Sequence, residues 1–277
     1  MAWRGAANKT MEKINEQGTA LPAAGDIYRD GTYLRNNPTL HGEDSAYKFV
    51  YICRLLERCT FPGTSVRVLD IGGGSGIIAA LVCEQLAQQG LQVECHAFDL
   101  SPEMLAQQRT NNRYNTLATS DFGEICQQRY DLALLIDVIE HIPDNGPVAD
   151  DIDRIARQVI YNIPIERNLL DWLGNLYMKR RYYAQQTTSL GHVHFYSYGS
   201  AKRFVRQHHR LVASIFPDYP GHLLESDFPD YVVQRANRLR GFELRLSRFI
   251  YRCLKPLAPW LIQGSLFILA DSRSWPR

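Results

Sequence analysis

The stretch VRVLDIGGGSGIIAAL, residues 66–81, constrains the fold more than any other part of this 277-residue chain. Val66–Leu69 has the β-branched and apolar pattern of a strand. Glycines at 72, 73, 74 and 76 follow, and an apolar helical pattern runs from Gly76 to Gln89 before closing at Gly90. A strand that turns through glycines into a helix lets the backbone come close to a ligand and presents the first helical amides to it. Asp70 places a carboxylate at the mouth of that turn.

The alternation continues along the chain. Val93–Phe98 reads as a strand, and Ser101, Pro102 and Glu103 supply an N-cap, a first-turn proline and an early acidic residue for the next helix. YDLALLI (130–136) is a continuous apolar run, as expected of a strand buried on both faces. A helix near 148–158, a strand QVIYNI (158–163), a helix near 198–208, a strand near 210–216 and a last strand SLFILAD (265–271) follow. Repeated β-α units predict a parallel, doubly wound α/β sheet covered by helices. Residues 1–60 read as a lead-in with a polar helix near 8–17, a candidate lid and a helix near 45–59. Residues 61–277 read as one domain, with insertions at 164–198 and 217–263 that form a cap.

Charge and cysteines narrow the class. A formal net charge of +2 gives no general attraction to nucleic acid. The six cysteines, at 53, 59, 83, 95, 126 and 253, show no zinc spacing and read as reduced thiols. The first residues lack an apolar signal core and no run reaches 18 apolar residues, so a cytoplasmic protein is expected.

Three ligands compete for the glycine turn. A Walker loop needs Gly-Lys-Ser/Thr, and no lysine occurs between Lys48 and Lys179. Gly74, Gly76 and Ala79 satisfy the dinucleotide pattern, and Asp99 lies 23 residues beyond Gly76, which keeps an NAD(P)-dependent oxidoreductase as the alternative. Asp70 discriminates, because a pyrophosphate on a helix N-terminus wants bare amides, whereas a cation welcomes a carboxylate. S-adenosylmethionine (SAM) carries a sulfonium and an ammonium, has no phosphate, and offers ribose hydroxyls to an acidic residue.

With Asp70, Gly72, Gly74, Gly76 and Asp99 so spaced, the chain resembles the class I SAM-dependent methyltransferases. VRVLDIGGGSG, AFDLSPEML, SDFGEI, YDLALLIDVIEHIPD and GHVHFYS occur in that family's order. The resemblance implies a seven-stranded sheet with an antiparallel last strand. It implies that Asp70 and Gly72, Gly73, Gly74 and Gly76 border the methionine part of SAM. Asp99 would hold the ribose, Leu100 and Met104 the adenine. Ser120, Asp121 and Phe122 would meet the adenine edge, with Asp121 accepting from its amino group. Ile136, Asp137 and the residues through His141 would line the methyl-transfer side. A SAM-binding protein without catalysis is a further alternative.

A general base is needed where the acceptor is a hydroxyl or a protonated amine. The candidates are His141, in IEHIP, and His192 and His194, in GHVHFYS, whose alternation points them to opposite sides. His208 and His209 fall at a helix end and read as partners of its dipole. Asp144, Asp150, Asp151 and Asp153 raise the question of a metal, but acids near a helix start read as dipole partners, so no metal is expected.

The acceptor is sought in the insertions. The chain has Asp137-Val138-Ile139-Glu140 where amino-nitrogen base methyltransferases have Asp/Asn-Pro-Pro-Tyr/Phe, which speaks against nucleic-acid bases. Trp172, Tyr177, Tyr182, Tyr183, Phe195, Tyr196 and Tyr198, with Tyr28, Tyr33 and His41 upstream, suit a small-molecule, glycan or lipid-linked acceptor. Over 238–257, Leu239, Phe242, Leu246, Phe249, Ile250, Cys253, Leu254 and Leu257 recur at helical spacing among Arg238, Arg240, Arg245, Arg248, Arg252 and Lys255. That pattern fits a helix packed over the sheet with a basic outer face, or a peripheral contact with anionic lipid.

Overall fold

Apolar runs of the expected length build the central sheet. In the computed structural model, which describes residues 42–177 and 191–275, the strands are β1 (Ser65–Ile71), β2 (Gln92–Phe98), β3 (Asn115–Thr119), β4 (Tyr130–Ile136), β5 (Ala156–Ile165), β6 (Arg210–Ile215) and β7 (Gly264–Asp271). Their order is β3-β2-β1-β4-β5-β7-β6, parallel except for β7, which runs antiparallel to both β5 and β6. This is the doubly wound class I methyltransferase fold that the resemblance implied.

The helices are α1 (Ser45–Leu56), α2 (Ile77–Gln88), α3 (Pro102–Asn111), α4 (Phe122–Ile125), α5 (Asn145–Ile155), α6 (Leu169–Tyr177), α7 (Tyr198–His208), α8 (Tyr219–Glu225), α9 (Pro229–Ala236), α10 (Arg238–Cys253) and α11 (Ala258–Leu261). Within β4 the period of two divides the apolar run between two cores. Ala133 and Leu135 face α5 and α7, while Leu132 and Leu134 face α1 and α2; Tyr130, at the strand's start, packs with the first of these cores. Ile52, Leu55 and Leu56 of α1 are buried in the second core, so this helix belongs to the packed body.

Two boundaries differ from the sequence reading. The helix expected at 148–158 is α5, Asn145–Ile155, and the strand expected at 158–163 is β5, Ala156–Ile165. Asn145-Gly146-Pro147 looks like a turn but occupies the first helical turn, where proline's missing N–H costs nothing. Ala156 then caps α5 in an extended conformation and begins β5, leaving no loop between them.

The insertion 217–263 folds as α8 to α11 between β6 and β7. The polar helix at 8–17, Tyr28, Tyr33, His41, Tyr182 and Tyr183 lie outside the described residues.

Candidate active site

The glycine turn is shaped around a carboxylate. Gly72, Gly74 and Gly76 take positive φ of 61°, 54° and 75°, a region costly for other residues. Gly73 has a different reason to lack a side chain, since a Cβ there would stand 1.8 Å from Asp70 Oδ2. At Gly76 a Cβ would also stand 2.9 Å from the Gln108 Cα.

Asp70 and Asp99, at the ends of β1 and β2, are 4% and 5% exposed. Asp99 accepts from the Ser101 N–H at 3.0 Å and from Gln108 Nε2 at 3.2 Å, and the same amide donates to the Gly74 carbonyl. Burial, and then the charge of Asp99, pushes Asp70 up to about 7. Burial pushes Asp99 up to about 6 against the donors that favour its charged form. Two buried carboxylates held in this state fit a ligand carrying positive charge and hydroxyl donors, as SAM does, and not a pyrophosphate.

The residues expected near the adenine divide. Met104 is buried on α3, Leu100 packs partly buried against the core, and Phe122 is buried edge-to-face on Phe98 at 5.1 Å between centroids. Ser120 and Asp121 are exposed, and Asp121 caps α4 by accepting from the Gly123 N–H at 2.8 Å.

Beyond β4 the chain adopts an unusual backbone. Asp137, at φ 57°, is the one non-glycine residue with positive φ among the described residues. Its N–H donates to the Asn162 carbonyl, its Oδ1 accepts from Asn162 Nδ2 at 2.6 Å, and its Oδ2 meets Lys48 Nζ of α1 at 2.8 Å. Burial alone would lower the Lys48 pKa, but Asp137 and Asp44 hold it above the ordinary lysine value. Half-buried Ile136 ends the strand here.

The loop that follows brings two distant motifs together. The N–H groups of Val193 and His194 both donate to the Glu140 carbonyl, at 2.9 and 3.0 Å, after a left-handed turn at Gly191 with φ 76°. His192 is thereby set against His141, with ring centroids 4.8 Å apart and planes at 73°. His192 Nδ1 lies 2.9 Å from Glu166 Oε2, and His141 Nδ1 lies 3.3 Å from the Gly191 carbonyl. Glu140 is fully buried and neither carboxylate oxygen has a hydrogen-bond partner. Burial, and then the charge of Asp137, drives its pKa well above the usual value. One ligand atom each from Glu140, His141 and His192 lie within 4.8 Å of one another.

His194 turns elsewhere, with Nε2 donating to the carbonyls of Ile142 and Pro143 at 2.9 and 3.1 Å, so it ties the peptide down. The two histidines of GHVHFYS thus have different partners.

On the other side of Asp137, α1 meets the cap. Asp44 accepts from Tyr231 Oη at 2.6 Å and His222 Nε2 at 3.0 Å, and His222 stacks on Tyr47 at 4.1 Å. Burial alone would raise the Asp44 pKa, but His222, Lys48 and Tyr231 hold it below the usual carboxylate value. Lys48, Asp44, His222 and Glu166 were not among the sequence candidates. The signal that could have found Lys48 is its place as the last lysine before the glycine turn.

Two surface readings need correction. His209 is fully buried, with Nδ1 at 2.9 Å from Asp153 and Nε2 at 2.6 Å from Tyr161 Oη, while His208 meets Asp150 at 2.6 Å. These histidines are held by carboxylates of α5 rather than by a helix dipole, which also accounts for Asp150 and Asp153 sharing a face. Helix α10 packs on α8, α9 and α11 instead of the sheet, and buries Gly241, Leu244 and Ser247. Its bulky residues face out, with Leu239 75%, Phe242 63% and Phe249 63% exposed. Arg248 is turned inward to Asp218 and Glu225.

A cavity of about 380 Å³ opens at the opposite, amino-terminal edge of the sheet, lined by Arg67, Glu94, Tyr130 and Trp275 among others. Arg67 and His96 already pair with Glu94 there. The glycine turn and the histidine cluster lie at the carboxyl ends of the strands, where open α/β sheets bind ligands.

A family model described as a methyltransferase domain matches residues 45–208. The fold is similar to that of a candidate sarcosine dimethylglycine methyltransferase from Galdieria sulphuraria, at 15% identity over 84% of this chain and 88% of that chain, with a TM-score of 0.56. It is also similar to a chain from the complex between the Haloferax volcanii Trm112 methyltransferase activator and a candidate methyltransferase, at 14% identity over 92% of this chain and 100% of that one, with a TM-score of 0.57. At such identities the likeness is one of fold. No curated protein sequence matches significantly.

Proposed function

We propose, from the premise that this chain belongs to the methyltransferase-domain family and is a SAM-dependent methyltransferase, that it methylates an oxygen or nitrogen of a small-molecule, glycan or lipid-linked acceptor. The observation that carries this reading is the meeting of two polar groups at one end of the sheet. Asp70 and Asp99 around the glycines form the donor side; His141 and His192, beside Glu140, form the acceptor side.

When bound, SAM supplies a methyl group already activated on a sulfonium sulfur. The chain then has to hold, orient and desolvate. Gly73 leaves room for the Asp70 carboxylate, which faces positive charge, and Asp99 accepts from hydroxyls. Asp137, held by Lys48 and Asn162, keeps the β4 loop rigid beside that pocket. With Nδ1 directed at Glu166, His192 leaves Nε2 to take up a proton or a cation on the acceptor side.

A lipid-linked acceptor is favoured by the outward apolar residues of α10, flanked by exposed Arg238, Arg245 and Arg252, and by exposed Trp172 and Leu176 on α6 and Trp260 on α11. The exposed apolar side chains of α6, α10 and α11 belong to neighbouring helices, since α11 packs against both of the others. No helix among the described residues is long and apolar enough to cross a membrane.

The test is calorimetric titration with SAM and with its demethylated product, followed by incubation of a native extract with enzyme and deuteromethyl-labelled SAM. Binding that Asp99→Ala largely removes, with one labelled product by mass spectrometry, supports the reading. Tight NAD(P) binding without SAM binding would overturn it, and SAM binding with no labelled product would favour a binding protein.

A further inference from the structure

The acceptor side contains a carboxylate that the fold does not satisfy. Glu140 is fully buried, and neither of its oxygens accepts a hydrogen bond. A buried polar group left without a hydrogen-bond partner carries a desolvation cost that no partner among the described residues offsets. Glu140 also has Asp137 and Glu166 near enough to act on it electrostatically, with Lys48 as the opposing charge. Three acidic side chains thus stand about one lysine.

The two imidazoles beside it are oriented as metal ligands are. His192 directs Nδ1 to the Glu166 carboxylate and His141 directs Nδ1 to the Gly191 carbonyl. In His192 this fixes the tautomer that carries its proton on Nδ1 and turns Nε2 toward ligation, the usual outer-shell arrangement around a ligating histidine, and the Gly191 carbonyl favours the same tautomer in His141. His141 Nε2 lies 3.8 Å from Glu140 Oε1, too long for a hydrogen bond. One ligand atom from each of the three residues lies within 4.8 Å of the others, whereas ligands at about 2.0–2.2 Å from one metal are about 3–3.5 Å apart. Small side-chain rotations of Glu140 and the two rings would close that gap.

We propose that Glu140, His141 Nε2 and His192 Nε2 bind one divalent first-row metal ion. Two imidazoles and one carboxylate suit Zn²⁺ and its neighbours, and three protein ligands leave a position open. An acceptor that presents an oxygen donor fills that position, and this last point rests on the methyltransferase reading, whereas the metal site itself does not. The site was hidden from the sequence because Glu140 and His141 are adjacent while His192 lies 51 residues on, outside any local ligand spacing.

The experiment uses the full chain, stripped with a chelator and titrated with Zn²⁺ by calorimetry and with Co²⁺ by visible absorption. One equivalent is expected, with a Co²⁺ spectrum of imidazole ligation. Glu140→Gln and His192→Ala should each weaken binding at least 100-fold. Glu166→Gln, which loosens the orientation of His192, should weaken it about 10-fold or more. His208→Ala should bind as the parent does. Paramagnetic Co²⁺ shifts on the ring protons of His141 and His192 in the unaltered chain give a readout that needs no variant to fold. Absence of stoichiometric binding, or binding unchanged in Glu140→Gln, overturns the proposal. SAM affinity, measured separately on the same samples, shows whether the methyltransferase reading has failed instead.

Discussion

Replacing Gly73 by alanine should weaken SAM binding through one neighbouring group. Gly73 is not at positive φ, so alanine suits its backbone, yet the added Cβ would lie 1.8 Å from Asp70 Oδ2, 2.4 Å from its Cγ and 2.6 Å from its Oδ1. The carboxylate must leave its place, although Asp70 is 4% exposed and the core of β1 surrounds it. A hydrogen bond to a charged group contributes about 1.5–3 kcal/mol, so losing the one Asp70 makes to the ligand should weaken affinity about 10- to 150-fold. Calorimetry with the demethylated product on the parent, Gly73→Ala, Asp70→Ala and the double variant closes a cycle. If the alanine acts through Asp70, the double variant binds no worse than Asp70→Ala alone, because the new methyl occupies vacated space. Losses that add, or Gly73→Ala within twofold of the parent, would refute the argument.

Three other outcomes follow from features away from Gly73. Asp70 and Asp99 have folded pKa values raised to about 7 and about 6 from 3.8, so the ligand-free fold binds their protons more tightly than the unfolded chain does. Their contribution to stability is complete below about pH 4 and is lost as pH rises through about 6 to 7, on the order of a few kcal/mol in total. Urea melts between pH 4.5 and 8 should show that decline, Asp70→Asn should flatten it, and SAM affinity should rise over the same range as the pair ionises. His209→Ala removes a fully buried ring and leaves Tyr161 Oη without its partner. Denaturant unfolding should register a loss of about 3 kcal/mol, and a change within 0.5 kcal/mol would contradict the buried assignment. Vesicles rich in anionic lipid should co-sediment the protein, and replacing Arg238, Arg245 and Arg252 by glutamine should weaken this by about 1 kcal/mol per charge. No sedimentation at low salt would remove the lipid contact.

The glycine turn, the proposed donor side, was the more legible half of this molecule, for a physical reason. Asp70, the four glycines and Ser101 act through their own backbone and their immediate neighbours, so their chemistry lies in consecutive letters. Strand β4 was equally plain, because burial on both faces demands an unbroken apolar run. The proposed acceptor side depends on contacts between remote segments. Lys48 reaches Asp137 across 89 residues and His222 reaches Asp44 across 178. Nothing in the local pattern of either segment encodes the other. On α10 the period was visible but its outward direction was not, because Gly241, Leu244 and Ser247 face α8 and α9 while larger apolar residues stay outside.

The strand order also governs how the chain can be assembled. Strand β6 meets the sheet only through β7, and β7 is separated from it in sequence by the whole of α8 to α11. As the chain emerges during synthesis, β1 to β5 can pair while β6 has no edge to join. The open edge of β5 therefore waits until Asp271 has been made, exposed to any other extended segment nearby. Closure by β7 then seats β6 and the base of the cap in one event. The glycine turn and the cluster of Glu140, His141 and His192, all of which precede β6 in the chain, can thus form before the cap is seated.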